Sequence, residues 1–554
     1  MLLLRLLSPL LFLWWWPAAV SAAFGYTDDD TNYVIDSGSS LVIKVSKCCG
    51  DIVSMVYKGV EYNGYGGKNT QVESGLGAST VTIEQFSSPA YIVKVTVVHG
   101  TLKHYLFVRY GNNNVYIFTN KADASVTVSR YIVRFKGGIF PHDTTDADYY
   151  DSGSSYIEAS DVMKDANGYT ESKHYAGNTY GRTIDYDYVG KTTGSVGLWM
   201  IRSNHEKASG GPFFRSLVRR GSPDGEDLYD IYHYNMGHTD PERFGLQGPS
   251  VLAFTDGAPP SSALFARNAD WSWFDTLGID GWVPSSGRGY VAGVGLSNMK
   301  AGYAYVVGLK NSAAQYWGTA AAASSGGAWR IDGVLPGTYA LTVYKAELEV
   351  ASATVTVAAG RGSAVNTLAC ADPADDAAVW RVGDWDGTPR GFLNFRDEPM
   401  KPTYMHPSDA RLAPWDPGNY IVGTSAAGDF PGYIWQDINN DHVIYFKLTA
   451  AQLATGHTVR IGLTEAYING RPRVSVNDNA WTSAVPGATA QAGTRSLTVG
   501  TYRGNNVLLT YDVPQTAWVQ SASEWQALTI TVVTGSSGSG YLSGGISIDC
   551  VDLI

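Results

Sequence analysis

The run Tyr91-Ile-Val-Lys-Val-Thr-Val-Val98 decides the fold class of this 554-residue chain. Its valines recur at every second position, a period that sends their side chains to one face of a strand. Shorter runs of the same kind, Leu41-Val-Ile-Lys-Val45 and Val115-Tyr-Ile-Phe118, stand between turn signals, and helical periodicity is scarce. The 62 glycines supply many of those turns. The sequence therefore predicts an all-β protein built from sandwiches.

Residues 1–22 have the features of a secretory signal peptide. A basic start at Arg5 is followed by an apolar block that ends at Trp16 and by the small residues Val20-Ser-Ala22. We expect cleavage after Ala22. No later run is apolar for long enough to cross a bilayer, so the sequence predicts a secreted, extracellular protein without a membrane anchor.

The charge and the cysteine content exclude several classes of protein. The net charge of −11 argues against general nucleic-acid binding, although a local cluster of arginine and lysine can still bind an anionic substrate. Four cysteines are too few for a disulfide scaffold. Adjacent Cys48 and Cys49 cannot readily bond to each other. Pairing of Cys370 with Cys550, which would join the two ends of the last third of the chain, is left open.

The chain divides into three regions, which we call the first, second and third region. Residues 23–283 contain most of the histidine, tyrosine and aspartate clusters. Residues 284–370 open with a turn-rich segment and contain consecutive short strands typical of a seven-stranded sandwich. Residues 371–554 contain tryptophans that suit either stacking on sugar rings or packing in a core. We expect the regions to fold as separate β domains, because the chain is too long for one core.

Aromatic and titratable side chains are concentrated in Leu228-Tyr-Asp-Ile-Tyr-His-Tyr-Asn-Met-Gly-His238. As a strand, this segment would send Tyr232 and Tyr234 to one face and Ile231 and His233 to the other. Tyrosines beside imidazoles suit a groove that holds sugar and moves protons. Ordinary strand packing explains the same residues at least as well.

The residues are compatible with more than one chemistry. Zinc is disfavoured because the histidines form no tight pair, whereas Asp143, Asp146 and Asp148 offer oxygen ligands for a structural calcium ion. The sequence lacks the strand-turn-helix pattern of a serine nucleophile. A glycoside hydrolase would need two carboxylates, for which the candidates are Glu171, Asp185, Asp187, Glu226, Asp240 and Glu242.

Elimination on a uronate sugar is a further alternative. Removal of the C5 proton requires that the neighbouring carboxylate be neutralised, which arginine or lysine does without a metal. A base takes the proton and an acid protonates the departing O4; in galacturonate these groups point to opposite faces and need separate residues. Arg130, Lys173 and His238 are the candidates. Taken alone, Lys173 is better explained as a solvated surface lysine, and Arg130 also fits an ordinary strand arginine.

Ten short segments carry a family resemblance through their order and spacing: Ala23-Phe-Gly25, Tyr33-Val-Ile-Asp36, Ser74-Gly-Leu-Gly77, Ser209-Gly-Gly-Pro-Phe213, Gly245-Leu-Gln-Gly-Pro249, Ser286-Gly-Arg-Gly289, Ala314-Gln-Tyr-Trp317, Pro336-Gly-Thr-Tyr339, Met405-His-Pro-Ser-Asp409 and Asp549-Cys-Val551. In these the chain resembles the rhamnogalacturonan lyases of polysaccharide lyase family four, the fungal rhamnogalacturonate lyases. The resemblance implies a galactose-mutarotase-like β-sandwich, a fibronectin-type-III-like sandwich and a C-terminal carbohydrate-binding-like jelly roll. It also implies endolytic β-elimination at the rhamnose-(1→4)-galacturonate bond of rhamnogalacturonan I, which leaves a 4,5-unsaturated galacturonate.

The resemblance implies roles for single residues. Lys173 matches the family's lysine, the proposed base, and His238 matches its catalytic histidine, the proton donor to the leaving group. Arg130 matches a substrate-binding arginine, which we assign to the carboxylate. Tyr232 and Tyr234 match two groove tyrosines, although the interval from tyrosine to histidine is one residue shorter here.

The resemblance also bears on disulfides, cofactors and assembly. The family's partner cysteine for Cys48 falls near Val97 in this chain, so we expect that early disulfide to be missing. No cofactor is required, with structural calcium left open, and we expect a monomer that acts on rhamnogalacturonan I. The alternatives are a rhamnogalacturonan hydrolase with two carboxylates and a pectin-binding protein without catalysis.

Overall fold

The computed structural model describes most of the chain. It covers residues 24–64, 66–140, 155–158, 162–172, 182–214, 216–222, 225–233, 240–266, 269–393, 409–410, 417–436, 439–467, 469–487, 506–534 and 544–554. Strands make up 48% of the residues and helices 6%, which confirms the predicted all-β fold. Helices in the described part are one α-helical turn, α1 (Ala450–Leu453), and 3-10 turns at Ser262–Leu264, Ser272–Phe274, Ser285–Gly287, Ala323–Ser325, Pro373–Asp375, Ala427–Asp429 and Gln515–Ala517.

The described part of the first region forms four β-sheets. Its strands are β1 (Gly25–Asp28), β2 (Asn32–Asp36), β3 (Leu41–Ser46), β4 (Ile52–Tyr57), β5 (Val60–Glu61), β6 (Gln71–Val72), β7 (Thr80–Phe86), β8 (Ile92–His99), β9 (Leu102–Arg109), β10 (Asn114–Lys121), β11 (Ser129–Lys136), β12 (Ser155–Glu158), β13 (Val162–Lys164), β14 (Thr170–Ser172), β15 (Tyr188–Thr192), β16 (Gly197–Arg202), β17 (Leu217–Ser222), β18 (Gly225–His233) and β19 (Gly245–Thr255). They form sheets of order β1-β2-β3-β4-β5, β15-β16-β19-β10-β9-β8-β7, β17-β18-β11-β6 and β12-β13-β14. The third of these sheets carries the candidate site.

Strand β8, which decides the fold class, is buried on both faces. The valines at its odd positions lie in the main core, as their alternation predicts. Its other face packs against a second apolar cluster that contains Trp273 and Phe274 from a later segment of the first region. Lys94 is tolerated on that face because its Nζ donates to the backbone oxygen of Leu277 at 2.8 Å.

The second region contains three smaller sheets. Its strands are β20 (Gly289–Gly293), β21 (Leu296–Ser297), β22 (Tyr305–Lys310), β23 (Gln315–Thr319), β24 (Trp329–Val334), β25 (Gly337–Lys345), β26 (Leu348–Val357), β27 (Gly362–Val365) and β28 (Leu368–Ala369). The sheet orders are β24-β20-β27, β21-β28 and β23-β22-β25-β26. Trp385 and Cys550, which follow the predicted boundary at residue 370, pack in the core of this region. The boundaries at residues 283 and 370 stay predictions.

The described part of the third region forms two sheets. Its strands are β29 (Trp380–Gly383), β30 (Tyr420–Ile421), β31 (Tyr433–Trp435), β32 (His442–Phe446), β33 (His457–Tyr467), β34 (Arg471–Val476), β35 (Trp481–Thr482), β36 (Val507–Val513), β37 (Gln526–Val533) and β38 (Gly545–Leu553). One sheet has the order β29-β38-β33-β36, with β31 also paired to β38, and the other the order β30-β32-β37-β34-β35. Together they enclose a single large apolar cluster.

All four cysteines lie within the described residues and are free thiols there. Cys370 and Cys550 are therefore not joined by a disulfide, and both thiols are buried in the core of the second region. In the family, the cysteine that pairs with the one at position 48 falls near Val97. In this chain the Val97 side chain packs against Gly50. Residues 1–22 lie outside the described part, and across the described part no helix is long and apolar enough to cross a membrane.

Candidate active site

Strands β11 and β18 form the centre of the sheet that carries Arg130. They pair antiparallel, with Arg130 opposite Ile231. Alternate residues of β11, beginning with Tyr131, lie in the main core, so Arg130 projects from the outer face of the sheet. Its Nη2 donates to Glu73 Oε1 at 3.2 Å and to Ser74 Oγ at 3.0 Å.

The Arg130 side chain is fixed but not fully enclosed. Its guanidinium carbon lies 5.7 Å from the centre of the Tyr229 ring, and 16% of the side chain is exposed. Arginine recognises a carboxylate through a planar fork of donors, which a fixed side chain presents at low entropic cost. Glu73, Ser74 and Tyr229 were not predicted as site residues from the sequence, because only the pairing of distant strands brings them to Arg130.

A β-bulge changes the predicted facing of the tyrosine-histidine segment. Arg130 lies opposite Ile231, but its neighbour Ser129 lies opposite His233, so β18 has one extra residue at Tyr232. Because Ser129 and Arg130 face opposite sides of β11, Ile231 and His233 do not share a face. The predicted simple alternation is therefore wrong at this point.

Tyr232 lies inside the sandwich and is only 5% exposed. Its hydroxyl is 3.0 Å from Ser250 Oγ, and its ring lies 4.5 Å from the guanidinium carbon of Arg202. Arg202 in turn pairs with Asp230 without solvent contact on either side chain. In this position Tyr232 supports the sheet that holds Arg130; direct contact with a substrate stays a prediction.

His233, the last residue of β18, belongs to a group of polar side chains that contact one another. Its Nδ1 is 3.2 Å from Ser209 Oγ, and burial lowers the pKa of its imidazole, which favours the neutral form. Beside it, Lys121 Nζ contacts Glu242 Oε1 at 2.5 Å, and the Ser129 hydroxyl donates to the same carboxylate. These contacts fix the backbone on both sides of residues 234–239.

Lys173, Tyr234 and His238 lie outside the described residues. Lys173 directly follows β14, and His238 stands in the chain between His233 and Asp240. Their proposed roles as base, groove tyrosine and acid therefore stay predictions. Of the five predicted site residues, Arg130 and Tyr232 are the two that lie within the described residues. They face opposite sides of one sheet.

Comparison with known proteins assigns a family to this arrangement. The first region matches the family model described as rhamnogalacturonan lyase B, N-terminal, over residues 24–281. Residues 287–365 match polysaccharide lyase family 4, domain II, and residues 378–553 match domain III of the same family. The chain belongs to polysaccharide lyase family 4.

Curated relatives of this family 4 chain align along nearly its whole length. A probable rhamnogalacturonate lyase A of Aspergillus clavatus is 36% identical over 97% of both chains. The rhamnogalacturonate lyase A of Emericella nidulans is also 36% identical over 97% of both chains. A putative rhamnogalacturonase of Neurospora crassa is 34% identical over 96% of both chains.

Asp240 and Glu242, two of the candidate carboxylates of the family 4 chain, do not favour a hydrolase. Burial opposes ionisation of Asp240, but Arg243 and Lys310 outweigh it and lower the pKa of this carboxyl. Glu242 is engaged by Lys121. A hydrolase needs an acid whose pKa is raised, which is the reverse of what Asp240 shows. The side chains of Glu171 and Glu226 lie outside the described part.

The described side chains of the family 4 chain contain no group of three or more His, Cys, Asp or Glu placed to hold a metal ion. The predicted calcium ligands Asp143, Asp146 and Asp148 lie outside the described residues. A structural calcium ion at those positions therefore stays a prediction.

Proposed function

We propose that this protein is a secreted rhamnogalacturonan endolyase. It cleaves the rhamnose-(1→4)-galacturonate bond of rhamnogalacturonan I by β-elimination and leaves a 4,5-unsaturated galacturonate at the new non-reducing end. The observation that carries the proposal is the fixed, partly exposed Arg130 on the outer face of a sheet in a family 4 chain. Relatives named rhamnogalacturonate lyase support the same substrate.

Arg130 supplies the charge that elimination requires. Loss of the C5 proton puts negative charge next to the C6 carboxylate, and a cation on that carboxylate stabilises the resulting state. Arg130 meets Glu73 and Ser74 through one terminal nitrogen, which fixes the guanidinium on the outer face of the sheet. A uronate carboxylate would bind to this fork and bring C5 to the base.

Two further residues complete the reaction. Lys173 takes the C5 proton; burial or a nearby cation such as an arginine would favour its deprotonated form. The C4–O4 bond breaks as the C4–C5 double bond forms, and His238 gives its proton to the departing O4. The base and the acid are separate because the two groups point to opposite faces of the galacturonate ring.

The decisive experiment uses debranched rhamnogalacturonan and follows two signals in the same sample. Absorbance of the conjugated double bond reports elimination, and reducing ends report any cleavage. A lyase raises both signals together. Reducing ends alone would establish the hydrolase, and a bound polymer with neither signal would establish a pectin-binding protein.

We also propose that elimination needs no metal and that the protein acts as a monomer. Arg130 provides the neutralising charge that a metal would otherwise supply. Exhaustive treatment with a chelator should leave kcat unchanged. A lowered Tm with unchanged kcat would indicate structural calcium.

Light scattering of the secreted protein should give the mass of one chain without residues 1–22. An intact N-terminus on the secreted protein would contradict the signal peptide.

A further inference from the structure

A glycine opens a trough in the outer face of the sheet β23-β22-β25-β26 of the second region. Gly308 in β22 lies opposite Trp317 in β23 and opposite Thr342 in β25. Because side chains on neighbouring strands stand in rows across a sheet, the missing side chain leaves a gap in this row. Trp317 borders the gap on one side and Tyr344, two residues beyond Thr342, borders it on another.

The trough has room for additional atoms. A Cβ on Gly308 would lie 3.4 Å from the ring of Tyr344 and 3.9 Å from the backbone oxygen of Thr342. The first contact is tight but involves a side chain, and the second is ordinary van der Waals contact. Trp317 and Tyr344 are both partly exposed, so their rings face the trough and the solvent at once.

All three regions contribute walls to the cavity above this trough. The first region supplies Gly210–Phe213 and Asp240, and the third supplies Asn506; the enclosed volume is about 180 Å³. The Phe213 ring meets the Tyr344 ring edge-on, with centroids 5.1 Å apart. Pockets for drug-sized ligands have roughly 300–1,000 Å³, so this cavity suits a single sugar ring.

The charges of the cavity select a neutral ligand. Three carboxylates line the cavity: Asp240, the buried Glu347 and the exposed Glu349. The one ammonium group of the lining, on Lys310, already contacts Asp240 at 3.3 Å. Arg243 and Arg182, behind the lining, pair with Asp240 and Glu347 and leave Glu349 as an acceptor for a ligand. A uronate would meet like charges there. A neutral sugar presents hydroxyl donors to carboxylates and a C–H face to aromatic rings, which have an apolar body.

We propose that this cavity binds one neutral sugar ring of the polysaccharide. The inference rests on the proposed function and adds a subsite to it. Asp240, which lines the cavity, follows the proposed acid His238 by two residues in the chain. The neutral ring is either a backbone rhamnose or a neutral side-chain sugar; both have the same chemistry.

The test fills the trough by substitution. Gly308→Val places methyl groups in the cavity at a position without positive φ, and Ala340→Val adds similar bulk on an exposed position of β25 outside the lining. We expect Gly308→Val to raise KM for rhamnogalacturonan about tenfold, with kcat within twofold, and Ala340→Val to leave both unchanged. Equal kinetics of the two variants would overturn the proposal.

A second variant tests the same cavity in case Gly308→Val does not fold. Glu349→Ala removes an exposed acceptor from the lining, so the fold should be unaffected, and it should also raise KM. Debranched and galactan-bearing rhamnogalacturonan distinguish the source of the ring: an effect on both polymers indicates backbone rhamnose, and an effect on the branched polymer alone indicates a side chain.

Direct binding separates this inference from the proposed function. Calorimetry with galactan oligosaccharides and L-rhamnose should show weaker binding to Gly308→Val than to the unaltered protein. If the unaltered protein produced no double bonds but this difference persisted, the lyase would fail and the sugar site would stand. Equal affinity of both proteins for both neutral ligands, or a matching loss with oligogalacturonate, would overturn the neutral-sugar site.

Discussion

Arg130 and Tyr232 are almost neighbours across β11 and β18, yet they face opposite sides of the sheet. Arg130 lies on the outer face with Glu73 and Ser74, whereas Tyr232 lies within the sandwich beside Ser250. The difference follows from strand alternation, because Arg130 lies opposite Ile231 and Tyr232 is the next residue of β18. At the scale of single residues, Arg130 is therefore the one of the two that the proposed substrate would reach, and Tyr232 supports the sheet from inside.

Lys173 and His238 should be indispensable for elimination. Lys173→Ala and His238→Ala each remove a group that moves a proton, so kcat should fall at least 10²- to 10⁴-fold while circular dichroism stays unchanged. Lys136→Ala, an exposed position at the end of β11, is the matched control. Near-normal turnover in either active-site variant would refute its assigned role.

Tyr232→Phe should affect stability more than catalysis. The change removes the hydroxyl that meets Ser250 at 3.0 Å, and the lost hydrogen bond should cost about 1 kcal/mol of unfolding free energy. Because this hydroxyl is buried, kcat/KM should fall less than tenfold. Denaturant unfolding and initial rates measure the two effects, with exposed Tyr91→Phe as control. A hundredfold loss of activity at unchanged stability would show that the hydroxyl reaches the substrate.

Elements could be predicted from the sequence where the pattern was regular, as in β8. Its alternating valines are buried as expected, but the later segment that covers its other face has no local signal, because this packing is tertiary. The bulge in β18 was missed for a similar reason: register depends on the partner strand. Arg130 could be proposed from the sequence, but its outward orientation became known only from the packing of Tyr131 and Val133 in the core.

The turn between β3 and β4 should make stability depend on pH. Burial raises the pKa of the Asp51 carboxyl to about 6, whereas an unfolded aspartate has a pKa of about 4. The folded state thus binds the proton more tightly, and stability falls as pH rises from about 4 to 6 and stays lower above that range. Asp51→Asn removes this penalty and should raise the unfolding free energy at pH 7 by about 1 kcal/mol, a small value because the carboxyl is partly exposed.

Denaturant unfolding between pH 4 and 8 measures this effect. The pH dependence between about 4 and 6 should be weaker in Asp51→Asn than in the unaltered protein. Glu524→Gln changes an exposed carboxyl in the third region and should leave the curve unchanged. Lower stability of Asp51→Asn at pH 7 would show that the charged form is favoured in the fold.

At the scale of the whole molecule, the second and third regions contact chain segments next to the proposed acid and base. Lys310 of the second region pairs with Asp240, two residues after His238. The backbone nitrogen of Ala410 in the third region donates to the Gly168 oxygen at 2.9 Å, shortly before Lys173. The local sequence gives no sign of either contact, because the partners are distant in the chain.

The contact between the first and second regions should affect turnover through Gln315. Its Oε1 accepts from the Gly211 nitrogen at 3.1 Å and from Arg243 Nη1 at 3.4 Å, and the side chain is buried. Gln315→Leu keeps the size but leaves these buried donors without that acceptor. Amide hydrogen exchange should rise in residues 205–213 and 240–245, and kcat should fall about tenfold. Ser312→Ala, at an exposed position just before β23, should change neither quantity. Faster exchange with unchanged kcat would show that the second region stabilises the first without positioning its catalytic segment.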